Sequence, residues 1–253
     1  RRATPAWIAS ITLIGAMSVS KKSSPSSVRK SGASRVDGAG IMVHALTLAV
    51  SKGRVLNEAL PLLGRVGITL IDDPSSTRKL VLDTSVQNLK LLVIRSQDVP
   101  TFVRYASADL GIVGKDVLLE QSTEGLYEPL DLGIARCRMV VAAPVGAVDD
   151  SRRPRVATKY VNTANWHFAR RGIQAEVVHL SGSMELAPIT GLADRIVDLV
   201  DTGNTLKANG LVEIETIVDI SSRLVVNKGS MKMKHAAVTQ FIEDLRLAVR
   251  DHV

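Results

Sequence analysis

The amino-acid sequence predicts an α/β protein. From residue 42 onward, short aliphatic runs alternate with amphipathic stretches, which is typical of strands that alternate with helices. Hydrophobic residues make up 45% of the 253 residues and the mean hydropathy is +0.15, which excludes general disorder. Aromatic residues make up only 3%, so the core must consist of Val, Leu, Ile and Ala. The alternation favours mostly parallel sheets, and the length fits one large domain or two small ones.

The strands are predicted from short aliphatic runs and the helices from apolar residues at helical spacing. The predicted strands cover residues 45–50, 91–95, 110–113, 139–143, 156–157, 176–180 and 196–200, with two more inside 212–226. The predicted helices follow the turn at 51–54, begin near Asp98 and near Leu206, and cover 117–119, 162–171 and 232–249. Asp98 suits a helix N-cap, and Pro100 suits a first helical turn.

Residues 1–41 carry most of the positive charge. They contain seven Lys or Arg and one Asp, a net charge of +6, whereas the rest of the chain has a net charge of +1. Because the body of the protein is nearly neutral, we exclude a nucleic-acid-binding role.

Residues 1–41 resemble a targeting peptide, because they are rich in Arg and Ser and contain a short apolar run. This run is too short to span a bilayer. The plainer interpretation is that these residues are a disordered upstream extension and that the folded part starts at Met42. A third interpretation is that they have a structural role.

Cysteine and histidine give no sign of a disulfide framework or a metal site. Cys137 is the only cysteine, which excludes an intramolecular disulfide and a cysteine-cluster zinc site. The histidines show no metal-ligand spacing; they are His44, His167, His179, His235 and His252. We predict Cys137 to be a small buried residue rather than a nucleophile, because no paired His and acid are evident.

A polar loop after the strand at 196–200 predicts an anion site. Thr202-Gly203-Asn204-Thr205 lies between this strand and the following helix. Convergent backbone N–H groups, threonine hydroxyls and a helix N-terminus attract an anion, and Gly203 allows close approach to a phosphate. The nearby Asp194, Asp198 and Asp201 suit ribose hydroxyls or the waters of a Mg²⁺ ion. The alternative is an ordinary turn flanked by solvated aspartates.

Five segments occur in the order found in one enzyme family. They are Ser-Lys-Gly-Arg at 51–54, Val-Ile-Arg-Ser-Gln-Asp-Val-Pro at 93–100, Asp-Leu-Gly-Ile-Val-Gly-Lys-Asp-Val-Leu at 109–118, Arg-Val-Ala-Thr-Lys-Tyr at 155–160 and Asp-Leu-Val-Asp-Thr-Gly-Asn-Thr-Leu at 198–206. Together they resemble ATP phosphoribosyltransferase, the first enzyme of histidine biosynthesis, whose phosphoribosyl pyrophosphate (PRPP) loop matches the last segment. The resemblance covers nearly all of residues 44–253. Any one segment would be weak, but five in the right order indicate the family.

The resemblance implies two α/β lobes around a central cleft, as in periplasmic solute-binding proteins. The first lobe would comprise residues 42–137 plus 212–253, and the second lobe 138–211 with the PRPP loop. Because the chain ends at Val253, it resembles the short form of the family, which has no C-terminal regulatory domain. The short form works with a regulatory subunit resembling histidyl-tRNA synthetase, in a hetero-octamer. We expect a cytoplasmic protein, although residues 1–41 leave organelle targeting open.

The implied reaction joins N1 of the adenine of ATP to C1′ of PRPP, with inversion and loss of pyrophosphate. The adenine nitrogen has a lone pair, so the protein chiefly aligns the substrates and stabilises the departing charge. The resemblance implies Mg²⁺ on the pyrophosphate, with no direct protein ligand.

The resemblance and the residue types together assign candidate residues to each task. The candidate catalytic carboxylates are Glu185, Asp198 and Asp201. PRPP would be bound by Thr202, Gly203, Asn204, Thr205 and Leu206, and ATP by Lys52, Gly53, Arg54, Arg95 and Asp109. Thr158 and Lys159 form a weaker candidate anion contact. For the individual charged side chains the alternative is a solvated or capping role.

Two other functions are compatible with parts of this pattern. A solute-binding protein would have the same two lobes, but it would need neither a carboxylate-flanked phosphate loop nor a basic turn opposite that loop. A catalytically inactive regulatory paralogue is disfavoured because the loop is complete. Turnover of ATP and PRPP distinguishes the three.

Overall fold

The computed structural model describes residues 45–74, 76–147 and 153–250, so the interpretations of residues 1–41 lie outside it. Its strands are β1 (Leu46–Ser51), β2 (Val81–Asp83), β3 (Leu89–Ile94), β4 (Leu110–Gly114), β5 (Leu126–Asp131), β6 (Cys137–Pro144), β7 (Arg155–Thr158), β8 (Glu176–His179), β9 (Arg195–Val200), β10 (Leu211–Ile220) and β11 (Ser222–Asn227). Its α-helices are α1 (Arg54–Arg65), α2 (Val99–Arg104), α3 (Lys115–Glu120), α4 (Val161–Arg170), α5 (Leu186–Ile189), α6 (Asn204–Ala208), α7 (Lys228–Met233) and α8 (His235–Arg250).

The strands form two sheets, one in each lobe. The first-lobe sheet has the order β2-β3-β1-β4-β11-β5, and the second-lobe sheet has the order β10-β6-β9-β7-β8. The expectation of mostly parallel sheets is wrong. Parallel pairs form where helices connect the strands, between β1 and both β3 and β4, and between β7 and both β8 and β9. The other five pairings are antiparallel. Four of them involve β6, β10 or β11, the strands beside the passages between the lobes, and the fifth joins β2 to β3 at the edge of the first-lobe sheet.

The chain passes between the lobes twice, from β5 to β6 and from β10 to β11. The predicted return to the first lobe at residue 212 is wrong, because β10 pairs along its length with β6 in the second-lobe sheet. The two passages are hydrogen-bonded to each other. The Leu132 N–H donates to the Ser222 carbonyl, and the Ser222 N–H donates to the Ile134 carbonyl, both at 2.9 Å. The second lobe therefore spans residues 137–220.

An aliphatic core fills each lobe, as the composition predicts. The first-lobe core receives Leu56, Ala59, Leu62 and Leu63 from α1, and Val238, Phe241, Ile242 and Leu245 from α8. These are the helical faces that the apolar spacing predicts. The helix predicted at 232–249 is divided at Lys234, where α7 ends and α8 follows.

Candidate functional site

A cleft of about 680 Å³ lies between the lobes. It opens at the carboxyl ends of the parallel strands β1 and β4, the edge at which α/β sheets bind ligands. The cleft is lined by Lys52, Gly53, Arg54, Arg95, Ser96, Gln97, Gly114, Asp116, Glu120 and Gln121 of the first lobe and by Cys137, Lys159, Tyr160, Leu199 and Asp201 of the second. The predicted central cleft is therefore confirmed, and it contains basic and acidic groups from both lobes.

The turn after β1 brings basic residues to the cleft. Gly53 has a φ of +92°, a conformation that residues with side chains rarely adopt, and it leads directly into α1. The Lys52 N–H donates to the Ile94 carbonyl at 2.8 Å, which ties the turn to the end of β3. Arg95 follows that strand. The structure thus places Lys52, Gly53, Arg54 and Arg95 together, as the sequence predicts.

Arg54 reaches across the cleft to the second lobe. Its Nη1 donates to Asp201 Oδ2 at 2.8 Å, and its Nη2 donates to the Arg136 carbonyl at 3.1 Å. Its Nε donates to Glu58 Oε1 at 2.8 Å, and this hydrogen bond raises the pKa of Arg54 above its ordinary value. Two residues 147 positions apart in the sequence, both candidates for the site, are therefore in direct contact.

Asp198 lies beside the cleft in β9, with its side chain largely buried. The Leu199 N–H donates to Asp198 Oδ1 at 2.8 Å, and Lys159 Nζ lies 4.0 Å from the same oxygen. Burial raises the pKa of Asp198 above its ordinary value, and the charges of Glu185 and Asp116 act in the same direction. The structure therefore brings together two of the predicted residues, Asp198 and Lys159, and the charge of a third, Glu185, acts on Asp198.

The loop predicted to bind an anion lies between β9 and α6. Gly203 is left-handed, with φ of +79° and ψ of 5°. The following helix α6 begins at Asn204, about one half-turn earlier than the sequence predicts. Thr202, Asn204 and Thr205 are exposed, whereas the Leu206 side chain is buried in the second-lobe core. Leu206 can therefore bind an anion only through its backbone N–H group.

Asp109 lies at the wrong end of its strand to bind a ligand in the cleft. It precedes β4, whose carboxyl end at Gly114 lines the cleft, and the strand between them is about 16 Å long. Its buried carboxylate accepts hydrogen bonds from the Thr47 N–H at 2.9 Å, Ser230 Oγ at 2.6 Å and Lys234 Nζ at 2.8 Å. The prediction that Asp109 binds ATP is therefore wrong, because these three bonds use its carboxylate to connect the start of β4 to β1 and α7.

We expect Asp109→Ala to lower the free energy of unfolding by about 3 kcal/mol, because a buried ion pair and two hydrogen bonds lose their acceptor. Asp109→Asn keeps one acceptor oxygen and should cost less. Denaturant unfolding followed by circular dichroism measures both changes. Folded Asp109→Asn should bind ATP as tightly as the unchanged chain, and a large loss of ATP affinity would restore the original assignment.

Thr158 is also a structural residue. It is fully buried, its Oγ1 donates to the Val197 carbonyl at 2.6 Å, and the same oxygen accepts from the Tyr160 N–H at 2.9 Å. Its predicted anion contact is therefore wrong, because the hydroxyl proton is already donated inside the protein. Only the second member of that pair, Lys159, reaches the cleft.

Sequence reasoning does not single out three cleft residues that join the lobes, namely Asp116, Glu120 and Tyr160. Tyr160 Oη donates to Asp116 Oδ2 at 2.9 Å. Asp116 and Tyr160 lie inside segments that carry the family resemblance, and an acid that closely follows a strand is a signal that could have found Asp116. Glu120 has no comparable signal, because its partners lie on the other lobe.

Cys137 lines the cleft at the first position of β6 and is half-buried. Burial, assisted by the charge of Asp116, raises the pKa of its thiol to about 11. Such a thiol is almost wholly protonated at neutral pH, which agrees with the prediction that Cys137 is not a nucleophile.

We expect alkylation of Cys137 by iodoacetamide at neutral pH to be about 100-fold slower than for an ordinary cysteine, because the thiolate fraction falls with the raised pKa. Mass spectrometry of the intact chain measures the rate. In denaturant, where burial is lost, the rate should return to that of a free thiol. Rapid labelling of the folded chain would contradict the expectation.

The described residues contain no group of three or more His, Cys, Asp or Glu side chains that could hold a metal ion. Within the same residues, no helix is long and apolar enough to cross a membrane.

Comparison with known proteins identifies the family. A model of the family described as ATP phosphoribosyltransferase matches residues 95–247. A protein of Methylococcus capsulatus named ATP phosphoribosyltransferase is 65% identical over 195 residues, which cover 77% of this chain and 92% of that protein. This chain belongs to the ATP phosphoribosyltransferase family. The predicted identification is thereby confirmed, and with it the class of enzyme, a pentosyltransferase of the first step of histidine biosynthesis.

Solved structures agree with this result. The ATP phosphoribosyl transferase (HisG:HisZ) complex from Thermotoga maritima contains a chain with 34% identity and a TM-score of 0.71, and the match covers 81% of this chain and 99% of that one. A probable amino-acid ABC transporter extracellular-binding protein from Bacillus subtilis has a TM-score of 0.52 at 11% identity, covering 83% and 92% of the two chains. The second likeness concerns the fold alone and agrees with the predicted binding-protein-like architecture.

Proposed function

We propose that this ATP phosphoribosyltransferase binds PRPP against the second lobe and ATP against the first, and that it joins the two substrates inside the cleft. The observation that carries the proposal is the 2.8 Å contact between Arg54 and Asp201, which places the basic turn directly opposite the anion loop. A pyrophosphate group between these two elements lies within reach of both.

The loop after β9 suits the phosphates of PRPP. Gly203 is left-handed and lies at the N-cap of α6, and the first N–H groups of such a helix have no acceptor inside the helix. The exposed side chains of Thr202, Asn204 and Thr205 add donors beside them. Asp198 and Asp201 accept hydrogen bonds from the ribose hydroxyls, which explains two carboxylates next to an anion loop.

The cations of the cleft suit the triphosphate of ATP. Lys52, Arg54 and Arg95 line the cleft from the first lobe, and the side chains of Lys52 and Arg95 are exposed to a ligand there. Arg54 contacts Asp201 through one guanidinium nitrogen, and a phosphate oxygen can take the place of that carboxylate oxygen in a charge-assisted hydrogen bond. Lys159 adds a fourth positive charge from the second lobe.

The reaction is a displacement at C1′ of PRPP. The lone pair of adenine N1 forms the new bond to C1′ as the bond from C1′ to the pyrophosphate oxygen breaks, and the pyrophosphate leaves with both electrons of that bond. The carboxylates of Asp198 and Asp201 stabilise the positive charge that develops on the sugar, and Glu185 faces the reacting centre. The loop donors and Arg54 stabilise the negative charge on the leaving group, and alignment of the substrates supplies the rest.

We propose Mg²⁺ as the cofactor, which would supply positive charge to neutralise the leaving pyrophosphate. The residues present fit this cofactor, because Asp198 and Asp201 could bind the waters of such an ion while substrate oxygens would supply its direct ligands.

We also propose a regulatory subunit resembling histidyl-tRNA synthetase, in a hetero-octamer, because the similar Thermotoga maritima chain belongs to a HisG:HisZ complex. Both substrates are intracellular metabolites, so we place the reaction in the cytoplasm.

Nuclear magnetic resonance of the product tests the proposed displacement. The chain is incubated with ATP, α-configured PRPP and Mg²⁺, and the coupling of the anomeric proton in the product is measured. A β-configured N1-(5-phosphoribosyl)-ATP is expected, because N1 attacks from the face opposite the leaving group. An α-configured product would contradict a single displacement in this cleft.

A further inference from the structure

Glu120 joins α3 of the first lobe to α4 of the second. Its Oε1 accepts from the Asn162 N–H at 2.8 Å, and its Oε2 accepts from both the Thr163 N–H and Thr163 Oγ1 at 3.0 Å. The Glu120 carbonyl accepts from Asn162 Nδ2 at 2.9 Å. One residue of the first lobe therefore receives four hydrogen bonds from the first turn of a helix in the other lobe.

Helix α4 has no N-terminal cap of its own. Tyr160 occupies the N-cap position and makes no side-chain capping bond, so the first N–H groups of α4 depend on an acceptor from elsewhere. The Glu120 carboxylate satisfies two of these N–H groups and places a negative charge at the positive end of the helix. A capping function that is normally local is thus supplied across the cleft.

The capped turn controls groups that face the substrates. Lys159 and Tyr160 immediately precede α4, and both line the cleft. Tyr160 is buried and bonded to Asp116, which makes a second contact between the lobes on the same helix pair. Lys159 lies 4.0 Å from Asp198. If the first turn of α4 shifted, Lys159 would shift relative to Asp198 and to the turn that carries Arg54.

We propose that Glu120 is a positioning residue, which sets the placement of the two lobes by capping α4 from the opposite side of the cleft. It acts through Asn162 and Thr163 rather than on the reacting atoms. Substrates that bridge the lobes hold the same placement once they are bound, so the contribution of Glu120 is greatest in the free enzyme. The inference rests on the proposed function for its kinetic consequence, but the capping itself is a property of the protein without substrate.

The first test measures hydrogen exchange of the substrate-free chain. In Glu120→Ala the amides of Asn162 and Thr163 should exchange about tenfold faster or more, because they lose their acceptor. Glu124→Ala is the matched control, since Glu124 is an exposed acid four residues away on the loop after α3, and it should leave both amides unchanged. Unchanged exchange in Glu120→Ala would overturn the proposal, whether or not the chain turns over ATP and PRPP.

The second test is steady-state kinetics with both substrates. Glu120→Ala should raise the KM for the substrates by about tenfold or more and change kcat by less than about threefold, because the bound substrates restore the lobe placement. Glu120→Gln keeps one acceptor oxygen and should lie between. The effect of Glu120→Ala should be smaller in a Thr163→Val background, because part of the same contact is already lost.

Two kinetic results would overturn the inference. A fall in kcat with KM unchanged would mean that Glu120 acts on the reacting atoms. Equal effects of Glu120→Ala with and without Thr163→Val would mean that it does not act through α4. If the unchanged chain gives no product at all, the proposed function fails, and the exchange measurement still decides whether Glu120 caps α4.

Discussion

Gly203→Val is expected to abolish PRPP binding while the chain remains folded. Gly203 has a φ of +79°, and a β-branched residue in this conformation costs about 1 to 3 kcal/mol, so the loop should relax to a different shape. The space around Gly203 is not the obstacle, because an added Cβ would meet only Val200 Cγ1 at 3.8 Å. Calorimetric titration with PRPP and Mg²⁺ measures the loss.

Gly210→Val is the matched control for this experiment. Gly210 also has a positive φ, +68°, and an added Cβ would meet nothing within 4 Å, but it lies after α6 rather than before it. It should lose similar stability and keep its affinity for PRPP. If folded Gly203→Val bound PRPP as tightly as Gly210→Val, the loop would not be the PRPP site.

Arg54→Ala is expected to lower kcat/KM by about 10³, or about 4 kcal/mol of transition-state stabilisation. Arg54 is a first-lobe cation that contacts Asp201, the residue next to the anion loop, and the proposed leaving group lies between Arg54 and that loop. Arg54→Lys keeps the charge but not the fork of donors, so it should recover only part of the rate. Initial rates at varied concentrations of each substrate measure the change.

Arg246→Ala controls for the loss of a surface arginine. Arg246 lies on α8 and pairs with Glu243 on the same helix, as Arg54 pairs with Glu58 on α1. Its removal should leave kcat/KM unchanged. A rate for Arg54→Ala close to that of Arg246→Ala would exclude Arg54 from the site.

The sequence predicts most helices and strands of the fold, but not whether neighbouring strands are parallel or antiparallel. The strands it misses are β2, which has three residues at the edge of its sheet, and β5, whose Pro129 interrupts the aliphatic pattern. Antiparallel pairing was missed for a different reason. The positions at which β6 and β10 carry the chain between the lobes are set by pairing over more than 60 residues, and local periodicity carries no information about them.

The candidate site was predicted where a local motif encodes it. The turn at Gly53 and the loop at Gly203 both depend on a glycine in a left-handed conformation, and such positions are visible in the sequence. The prediction for Asp109 is wrong because the aliphatic pattern of a short strand does not show which of its ends faces the cleft. Contacts between lobes, such as that of Glu120 with Thr163, join residues far apart in the chain and become visible only in the folded protein.

The most direct test of the proposed activity is an assay of turnover, which is monitored by the ultraviolet absorbance change that accompanies alkylation of adenine N1. The full chain is assayed with ATP, PRPP and Mg²⁺, first alone and then with a regulatory subunit resembling histidyl-tRNA synthetase. We expect phosphoribosyl-ATP in at least one of the two assays, and a large increase with the subunit would support the proposed assembly. If neither assay gives product while PRPP still binds, the cleft is not catalytic, and a binding protein or an inactive paralogue becomes the better interpretation.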